Sequence, residues 1–275
     1  GRGTPRACVA REVIVRIGLA GWALNKRFRA QENPLTMLEF FDVVRKEFDL
    51  DTVELNNLWL VSHEPDYLDA IVRAARKAGV SMEGMAVDRT GDLSLLDEKE
   101  REVSIRNAMA YFDVAERLGL AYFRVNTGGR PDGPPEMLQA CIDSFRRLAE
   151  EGERRGIKIA TENHGGLSTD PDMMVRLVQG VNSPAMATLP DLGNFPEEIV
   201  EEGIRKIMPW AANVHVKWTR RDAPGKRDIP ALIKMVKETG FDGTLMIEDG
   251  GPVCDHMGVL ELKGALIACL NSRLV

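Results

Sequence analysis

The stretch Ile157-Lys158-Ile159-Ala160-Thr161-Glu162-Asn163-His164-Gly165-Gly166 joins a short apolar run to a group of polar and small residues. Its first four residues are typical of a buried β-strand, and the glutamate stands where that strand should end. Three later stretches repeat this order: Met186 to Asp191, Asn213 to Lys217 and Thr244 to Asp249. Four strand ends are therefore predicted to carry Glu162, Asp191, His215 and Glu248.

The same alternation of short apolar runs and longer amphipathic runs extends over most of the chain. The predicted strands are residues 13–19, 52–55, 80–87, 122–125, 157–161, 185–189, 213–216 and 244–247. The predicted helices are residues 34–48, 66–78, 97–118, 134–155, 170–179, 196–207, 229–238 and 255–270. Eight such units, with no GxGxxG after the first strand, predict an α/β fold: a parallel eight-stranded (β/α)8 TIM barrel rather than an open doubly wound sheet.

Length and composition fit one catalytic domain. The 275 residues are 44% hydrophobic, so we expect a single barrel over residues 12–275, with residues 1–11 as a loose tail. A net charge of -6 disfavours nucleic acid and anionic membrane surfaces as partners. There is no run of 18 apolar residues, and the four cysteines are scattered without a CxxC pair, so free thiols in a cytoplasmic protein are expected.

The four strand-end residues are expected to converge, because catalytic groups of TIM barrels lie at the carboxyl ends of the strands. Taken singly, Asp191 is equally well explained as a helix cap, and His215 better as a core histidine. Four ligand-type residues at successive strand ends favour one shared site. Three carboxylates that no cation pairs would repel one another strongly, which predicts one divalent metal. Oxygen ligands with a single nitrogen suit Mn²⁺, Mg²⁺ or Co²⁺, and Zn²⁺ stays open.

These motifs resemble those of the xylose isomerase-like barrels of the sugar isomerase and epimerase type, which include the ketose 3-epimerases. The resemblance rests on Glu-Asn-His-Gly-Gly, Asp-Leu-Gly-Asn, Val-His-Val-Lys and Ile-Glu-Asp, in that order on strands five to eight. It implies that Glu162, Asp191, His215 and Glu248 bind one metal ion, commonly manganese. Dimers or tetramers are common in the family.

Two positions depart from the ketose 3-epimerase pattern that the resemblance implies. Asn194 stands three residues after Asp191, where many of these epimerases place a substrate-binding histidine. Ser168 stands six residues after Glu162, where they place a glutamate. A ketose 3-epimerase substrate is therefore less well supported than the metal site.

Further residues are predicted to line the pocket. His164 and Lys217 each follow a ligand by two residues, so both are expected on the same face as that ligand and in contact with substrate. A solvated lysine is the alternative for Lys217. The remaining predicted substrate-binding residues are Trp22, Asn25, Glu54, Asn56, Arg124, Asn126 and Asn194. Gly128-Gly129 and Gly250-Gly251 are weak candidates for a phosphate-binding loop.

The predicted function is a divalent-metal-dependent isomerase or epimerase of a small sugar-like polyhydroxy carbonyl compound, acting by proton abstraction through an enediolate. Glu162 and Glu248 are the expected acid and base, and one of them should have a raised basicity. A lyase on the same scaffold, such as a dehydratase, is the alternative, because proton abstraction begins both reactions. An abasic-site endonuclease is remote, since such enzymes of this superfamily use many histidines and this chain has four. A non-catalytic barrel would not need the four-residue constellation.

Overall fold

The computed structural model describes residues 15–222, 224–249 and 256–272. The predicted N-terminal tail and the Gly250-Gly251 pair lie outside the described residues. Eight strands are present in them: β1 (Arg16–Ala20), β2 (Thr52–Asn56), β3 (Ser81–Ala86), β4 (Tyr122–Arg124), β5 (Lys158–Glu162), β6 (Met186–Leu189), β7 (Val214–Val216) and β8 (Thr244–Ile247). All pairs are parallel, in the order β6-β5-β4-β3-β2-β1-β8-β7. The predicted (β/α)8 barrel is confirmed.

Helices follow the strands around this barrel. They are α1 (Asn25–Phe28), α2 (Met37–Phe48), α3 (Pro65–Ala78), α4 (Glu98–Met109), α5 (Tyr111–Leu118), α6 (Pro135–Arg155), α7 (Pro171–Val181), α8 (Val200–Ile207), α9 (Ile229–Glu238) and α10 (His256–Asn271). Short 3₁₀ helices occur at Gly21–Leu24, Asn57–Trp59, Gly166–Thr169 and Met208–Trp210. None of the described helices is long and apolar enough to cross a membrane.

Two predicted helices differ from the structure. The helix predicted over residues 97–118 is divided at Ala110 into α4 and α5, and this division lets α5 pack against α3 and α6 while α4 packs against α6. The helix predicted from Pro196 begins only at Val200, because the preceding residues form a turn after β6. Gly79, Gly119 and Gly156 end α3, α5 and α6 in the left-handed conformation.

The ring is completed between β6 and β7 by isolated bridges rather than by a continuous ladder. These parallel bridges join Thr188 to Ala211 and Asp191 to His215. The His215 N–H donates to the Pro190 carbonyl at 2.8 Å, and the Leu192 N–H donates to the His215 carbonyl at 3.0 Å. Because these two bonds lie on either side of Asp191, they hold Asp191 beside His215.

The apolar core divides into two parts. The larger lies between the strands and the helices and includes all the large buried aromatic rings except that of Tyr122. A smaller cluster of Tyr122, Ala160, Ala187 and Leu189 lies inside the barrel. Successive residues of a strand face opposite sides, so polar residues two apart also face the interior and lead up to the strand ends. Tyr122 fits there because its neighbour on β3 is Gly84.

Adding a methyl group at Gly84 should destabilise the barrel, because a Cβ there would lie 2.2 Å from the Tyr122 ring. We expect Gly84→Ala to lower the free energy of unfolding by about 1–3 kcal/mol in urea denaturation. The matched control is Gly264→Ala in α10, where a Cβ would meet nothing within 4 Å. That variant should gain about 0.5–1 kcal/mol, since alanine is the better helix former. Equal effects at the two positions would contradict this packing.

Candidate metal centre

The four predicted ligand residues meet at the carboxyl end of the barrel. Glu162 is the last residue of β5, Asp191 follows β6 by two residues, His215 is the middle residue of β7 and Glu248 directly follows β8. One donor atom from each lies within 4.8 Å of the others, and all four residues are buried. Adjacent strands place them there, so their proximity follows directly from the fold.

The His215 ring nitrogen Nδ1 lies among the carboxylates. It is 3.0 Å from Glu248 Oε2, 3.7 Å from Glu162 Oε1 and 3.9 Å from Asp191 Oδ2. Among the described residues, Nδ1 of His215, Oε2 of Glu162 and Oε2 of Glu248 form no hydrogen bond although they are buried. Buried polar atoms are normally satisfied, so these three lone pairs fit the donor set of a divalent cation.

Two cations lie beside the carboxylates, and the expectation that no cation pairs them is therefore wrong. The Lys217 ammonium is 2.7 Å from Asp191 Oδ2 and 3.0 Å from Glu248 Oε2, and Arg124 Nε is 3.1 Å from Glu162 Oε2. These are ion-pair distances. Arg124 Nε and Glu162 Oε2 are buried and form no hydrogen bond among the described residues. Both side chains are long, and only the fold shows that their charges reach the cluster.

The surroundings shift the pKa values of the three acids of the cluster in different directions. Burial and the neighbouring Glu162 and Glu248 raise the pKa of Asp191 to about 7, against the opposing effect of Lys217. Burial alone would raise the pKa of Glu248, but His215 and Lys217 outweigh it and lower that pKa to about 2. Burial is likewise outweighed at Glu162, where Arg124 and His215 hold the pKa well below its usual range. In the metal-free cluster neither glutamate has a raised pKa, and the raised basicity expected of a metal-bound glutamate stays a prediction.

Two asparagines hold the ligand residues in place. Asn194 donates from Nδ2 to Glu162 Oε1 at 2.9 Å and to Asp191 Oδ2 at 3.0 Å, and its Oδ1 accepts from Lys217 at 3.4 Å. Asn163 exchanges two hydrogen bonds with the Asp191 backbone, at 2.7 and 3.0 Å. Asn194 was predicted to bind substrate, and its amide contacts Glu162, Asp191 and Lys217. Asn163 was given no role from sequence, although it follows Glu162 directly.

Comparison with known proteins agrees with this architecture. The xylose isomerase-like TIM barrel family matches residues 44–259. The chain belongs to this family. No curated protein matches the chain.

Several solved structures have the same fold as this chain. A D-tagatose 3-epimerase-like protein is 16% identical with a TM-score of 0.74, over 94% of this chain and 98% of that one. A xylose isomerase-like TIM barrel protein from Mycobacterium smegmatis, in complex with magnesium, is 17% identical with a TM-score of 0.73, over 95% and 98%. A probable 3-DHS dehydratase from Bacillus anthracis is 13% identical with a TM-score of 0.71, over 90% and 99%. At these identities the likeness shows the fold alone.

In this xylose isomerase-like barrel, His164 does not lie on an extension of β5. Its N–H donates to the Glu162 carbonyl at 2.8 Å, so the chain turns immediately after the strand. Ser168 Oγ accepts from the N–H groups of His164 and Gly165 at 3.3 and 3.4 Å and stabilises this turn. Burial lowers the pKa of His164, although the charge of Glu162 acts in the opposite sense. His164 is therefore a neutral imidazole near the cluster at neutral pH.

Arg221 also reaches this turn of the xylose isomerase-like barrel, from the loop after β7, and donates to the His164 carbonyl. It was given no role from sequence, because a loop residue has no periodic position from which its direction can be inferred.

Arg124 and Asn126 belong to one polar group with Asp88, which follows β3. Arg124 Nη1 donates to Asp88 Oδ1 at 2.7 Å and to Asn126 Oδ1 at 3.3 Å, and Asn126 Nδ2 donates to Asp88 Oδ1 at 3.2 Å. Asp88 therefore orients Arg124 toward Glu162. Asp88 was missed because the predicted strand ended one residue before it and no motif singled it out.

The residues predicted at the first two strand ends differ in their surroundings. Trp22 is half-buried and stacks on Trp59 with ring centroids 6.3 Å apart. Asn25 donates to the Trp22 carbonyl at 2.7 Å and is buried, so it stabilises the turn. Asn56 is buried, and its Oδ1 has no hydrogen-bond partner among the described residues.

Glu54 has partners that differ from the predicted substrate contact. It is fully buried, its Oε1 lies 2.9 Å from His215 Nε2, and its Oε2 accepts from the Tyr122 hydroxyl at 2.6 Å. Both oxygens are engaged within the barrel. Glu54 therefore contacts His215 at Nε2, the ring nitrogen that does not face the three acids of the cluster.

The Gly128-Gly129 pair is not a free phosphate-binding loop. The Gly129 N–H donates to Asp92 Oδ2 at 3.0 Å, and the Gly128 carbonyl accepts from the Leu167 N–H at 2.9 Å. A carboxylate already takes the N–H that an anion would need.

Of the cysteines, Cys141 and Cys269 are free thiols, as expected, and the other two lie outside the described residues.

The raised pKa of Asp191 predicts a pH-dependent stability difference in protein freed of metal with EDTA. Its folded pKa of about 7 exceeds the ordinary 3.8, so the folded state binds the proton more tightly. Stability is then lost as pH rises from about 4 to 7, by at most about 1.4 kcal/mol per pH unit. Asp191→Asn lacks this loss, so its melting temperature should rise relative to the parent between pH 5 and 8.

The matched control for that experiment is Asp222→Asn. Arg220 holds the pKa of Asp222 far below this range, so its difference from the parent should stay constant with pH. A constant difference for Asp191→Asn as well would contradict the electrostatics described for the cluster.

Proposed function

We propose that this protein is a divalent-metal-dependent isomerase or epimerase of a small polyhydroxy carbonyl compound. The observation that supports this most directly is the buried set of four donor atoms within 4.8 Å, from three carboxylates and one imidazole. His215 Nδ1 and two carboxylate oxygens of this set make no hydrogen bond among the described residues. Membership in the xylose isomerase-like TIM barrel family and the likeness of its fold to that of a D-tagatose 3-epimerase-like protein are consistent with such chemistry.

Glu162, Asp191, His215 and Glu248 would hold the ion. Mn²⁺ is preferred, and Mg²⁺, Co²⁺ and Zn²⁺ also suit mixed oxygen and nitrogen donors. The bound ion would polarise a substrate carbonyl and stabilise the negative charge that develops when the neighbouring C–H is deprotonated.

The chain itself offers proton carriers on several sides of the cluster. Glu162 and Glu248 come from β5 and β8, and we assign them the removal and return of the proton, which inverts a carbon centre or moves the carbonyl. His164 is neutral at working pH, so its imidazole is a further acceptor near Glu162. Lys217 stays protonated because Asp191 and Glu248 raise its pKa against the effect of burial. We assign its ammonium the binding of a substrate oxygen.

Arg124 and Asn194 would act by keeping the glutamates in place. Arg124 is almost completely buried and lies between Glu162 and Asp88, so its charge compensates two acids at once. Asn194 joins Glu162 to Asp191 through one amide nitrogen. Both contacts restrict the directions in which Glu162 can face.

A dehydratase is the second candidate, and the position of the Lys217 ammonium beside Asp191 and Glu248 favours it. Loss of a β-hydroxyl after proton abstraction needs an acid beside the leaving oxygen, and the ammonium supplies one next to two of the ligands. An abasic-site endonuclease is not proposed, because the cluster found among the described residues contains a single histidine.

Turnover in D₂O separates these reactions. Keto and aldo sugars, inososes and oxidised glycosides are incubated with protein and Mn²⁺, and products are read by NMR. Deuterium on the carbon next to the carbonyl, with all hydroxyls retained, supports the isomerase or epimerase. Loss of water supports the dehydratase instead. Turnover without deuterium incorporation would indicate a hydride shift and contradict the proton-transfer role of the glutamates.

In the same assay, His164→Gln should lower kcat/KM by about 10²- to 10⁴-fold if the imidazole carries a proton. Its metal content should equal that of the parent, since His164 is not a ligand. The matched control is His63→Gln, because His63 is exposed and its ring packs against Tyr111. Equal activities of the two variants would remove His164 from the reaction.

A further inference from the structure

A line of hydrogen-bonded side chains runs inside the barrel, from beneath the candidate metal centre toward the amino ends of the strands. It begins at His215 Nε2, which lies 2.9 Å from Glu54 Oε1. Glu54 Oε2 accepts from the Tyr122 hydroxyl at 2.6 Å, and the Tyr122 oxygen accepts from Asn213 Nδ2 at 3.1 Å. Asn213 Nδ2 also donates to Glu83 Oε2 at 2.8 Å.

The line crosses the barrel because these five residues come from four strands: Glu54 from β2, Glu83 from β3, Tyr122 from β4, and Asn213 and His215 from the residue directly before β7 and from its middle. Glu54, Tyr122, Asn213 and His215 are all less than 4% exposed. Glu83 sits at the irregularity in the pairing of β2 with β3, where Val53 pairs with Met82 and Glu54 with Gly84. Arg16 closes the line with its guanidinium 2.5 Å from Glu83 Oε1.

The direction of every donor in this line is fixed by one backbone amide. The Thr244 N–H can only donate, and it donates to Asn213 Oδ1 at 3.0 Å. This orients the Asn213 amide, so that its Nδ2 hydrogens face Glu83 and Tyr122. The Tyr122 oxygen therefore receives a hydrogen from Asn213, and its own hydrogen goes to Glu54.

Glu54 in turn fixes the form of His215. A carboxylate offers only lone pairs, so the hydrogen between Glu54 and His215 is carried by Nε2 of the imidazole. In a neutral imidazole the other nitrogen then has no hydrogen. That nitrogen, Nδ1, faces Glu162, Asp191 and Glu248.

We propose that Glu54, held by Tyr122, is a positioning residue that fixes the His215 tautomer with its Nδ1 lone pair directed to the metal. This inference rests on the proposed metal centre. It gives Glu54 no contact with substrate, and it assigns a function to the polar line inside the barrel. Carboxylate partners of ligating histidines commonly contribute about 10- to 100-fold to metal affinity.

The variant Glu54→Gln tests the tautomer directly, because an amide has one donor and one acceptor end. Tyr122 must still donate to residue 54, so the amide oxygen should face Tyr122 and the amide nitrogen should face Nε2. The hydrogen of His215 then moves to Nδ1, where it blocks coordination. We expect Mn²⁺ affinity, measured by titration calorimetry, to fall by about 10- to 100-fold.

The matched control is Glu83→Gln, which makes the same chemical change in the same line without touching His215. Its Mn²⁺ affinity should stay within about twofold of the parent. Circular dichroism and melting temperature establish that each variant is folded.

A second readout needs no variant of the line. With only four histidines in the chain, ¹⁵N-histidine NMR resolves each imidazole, and Zn²⁺ serves as the diamagnetic probe. The parent should show His215 with Nε2 protonated and Nδ1 bound to zinc.

The outcomes separate this proposal from the proposed function. Zinc bound through Nε2 of His215 in the parent would overturn the proposal, whether or not Glu54→Gln folds. Equal Mn²⁺ affinities of Glu54→Gln and Glu83→Gln would also overturn it, while leaving the metal centre intact. A parent that binds neither ion would contradict the metal centre itself, and this proposal with it.

Discussion

Repulsion between three buried carboxylates is the constraint on which the site depends. Glu162, Asp191 and Glu248 present oxygens within 4.8 Å of one another, in a place where the fold excludes most water. Charges at such separations interact far more strongly there than in bulk solvent. The surrounding residues either supply positive charge or keep the acids in position, and the barrel makes this arrangement possible because neighbouring strand ends share one rim.

Two kinds of compensation meet at this rim. Lys217 and Arg124 give permanent positive charge from the side, and the imidazole of His215 provides a donor atom between the acids. Part of the repulsion between the acids is not compensated, because the pKa of Asp191 stays raised although the Lys217 ammonium lies beside it. A divalent ion would remove that residual cost.

The sequence predicts the barrel and the convergence of Glu162, Asp191, His215 and Glu248 well, because strand periodicity and strand ends are local properties. Glu162 and Glu248 could be placed from the apolar runs before them. The sequence could not show the partners of Glu54, since β2 and β7 are brought together only by closure of the ring. The sequence also predicted that His164 continues the direction of β5. This is wrong because the chain turns directly after Glu162, and the contact of Ser168 with that turn could not be inferred from the sequence. Lys217 and Arg124 are long side chains, and their reach becomes apparent only in three dimensions.

Anomalous X-ray diffraction from crystals grown with Mn²⁺ tests the central claim most directly. The account predicts one strong peak per chain, bonded to Nδ1 of His215 and to the carboxylates of Glu162, Asp191 and Glu248, and no peak at this place in Asp191→Ala. No peak there in the parent chain, or a peak that does not contact His215, would contradict it.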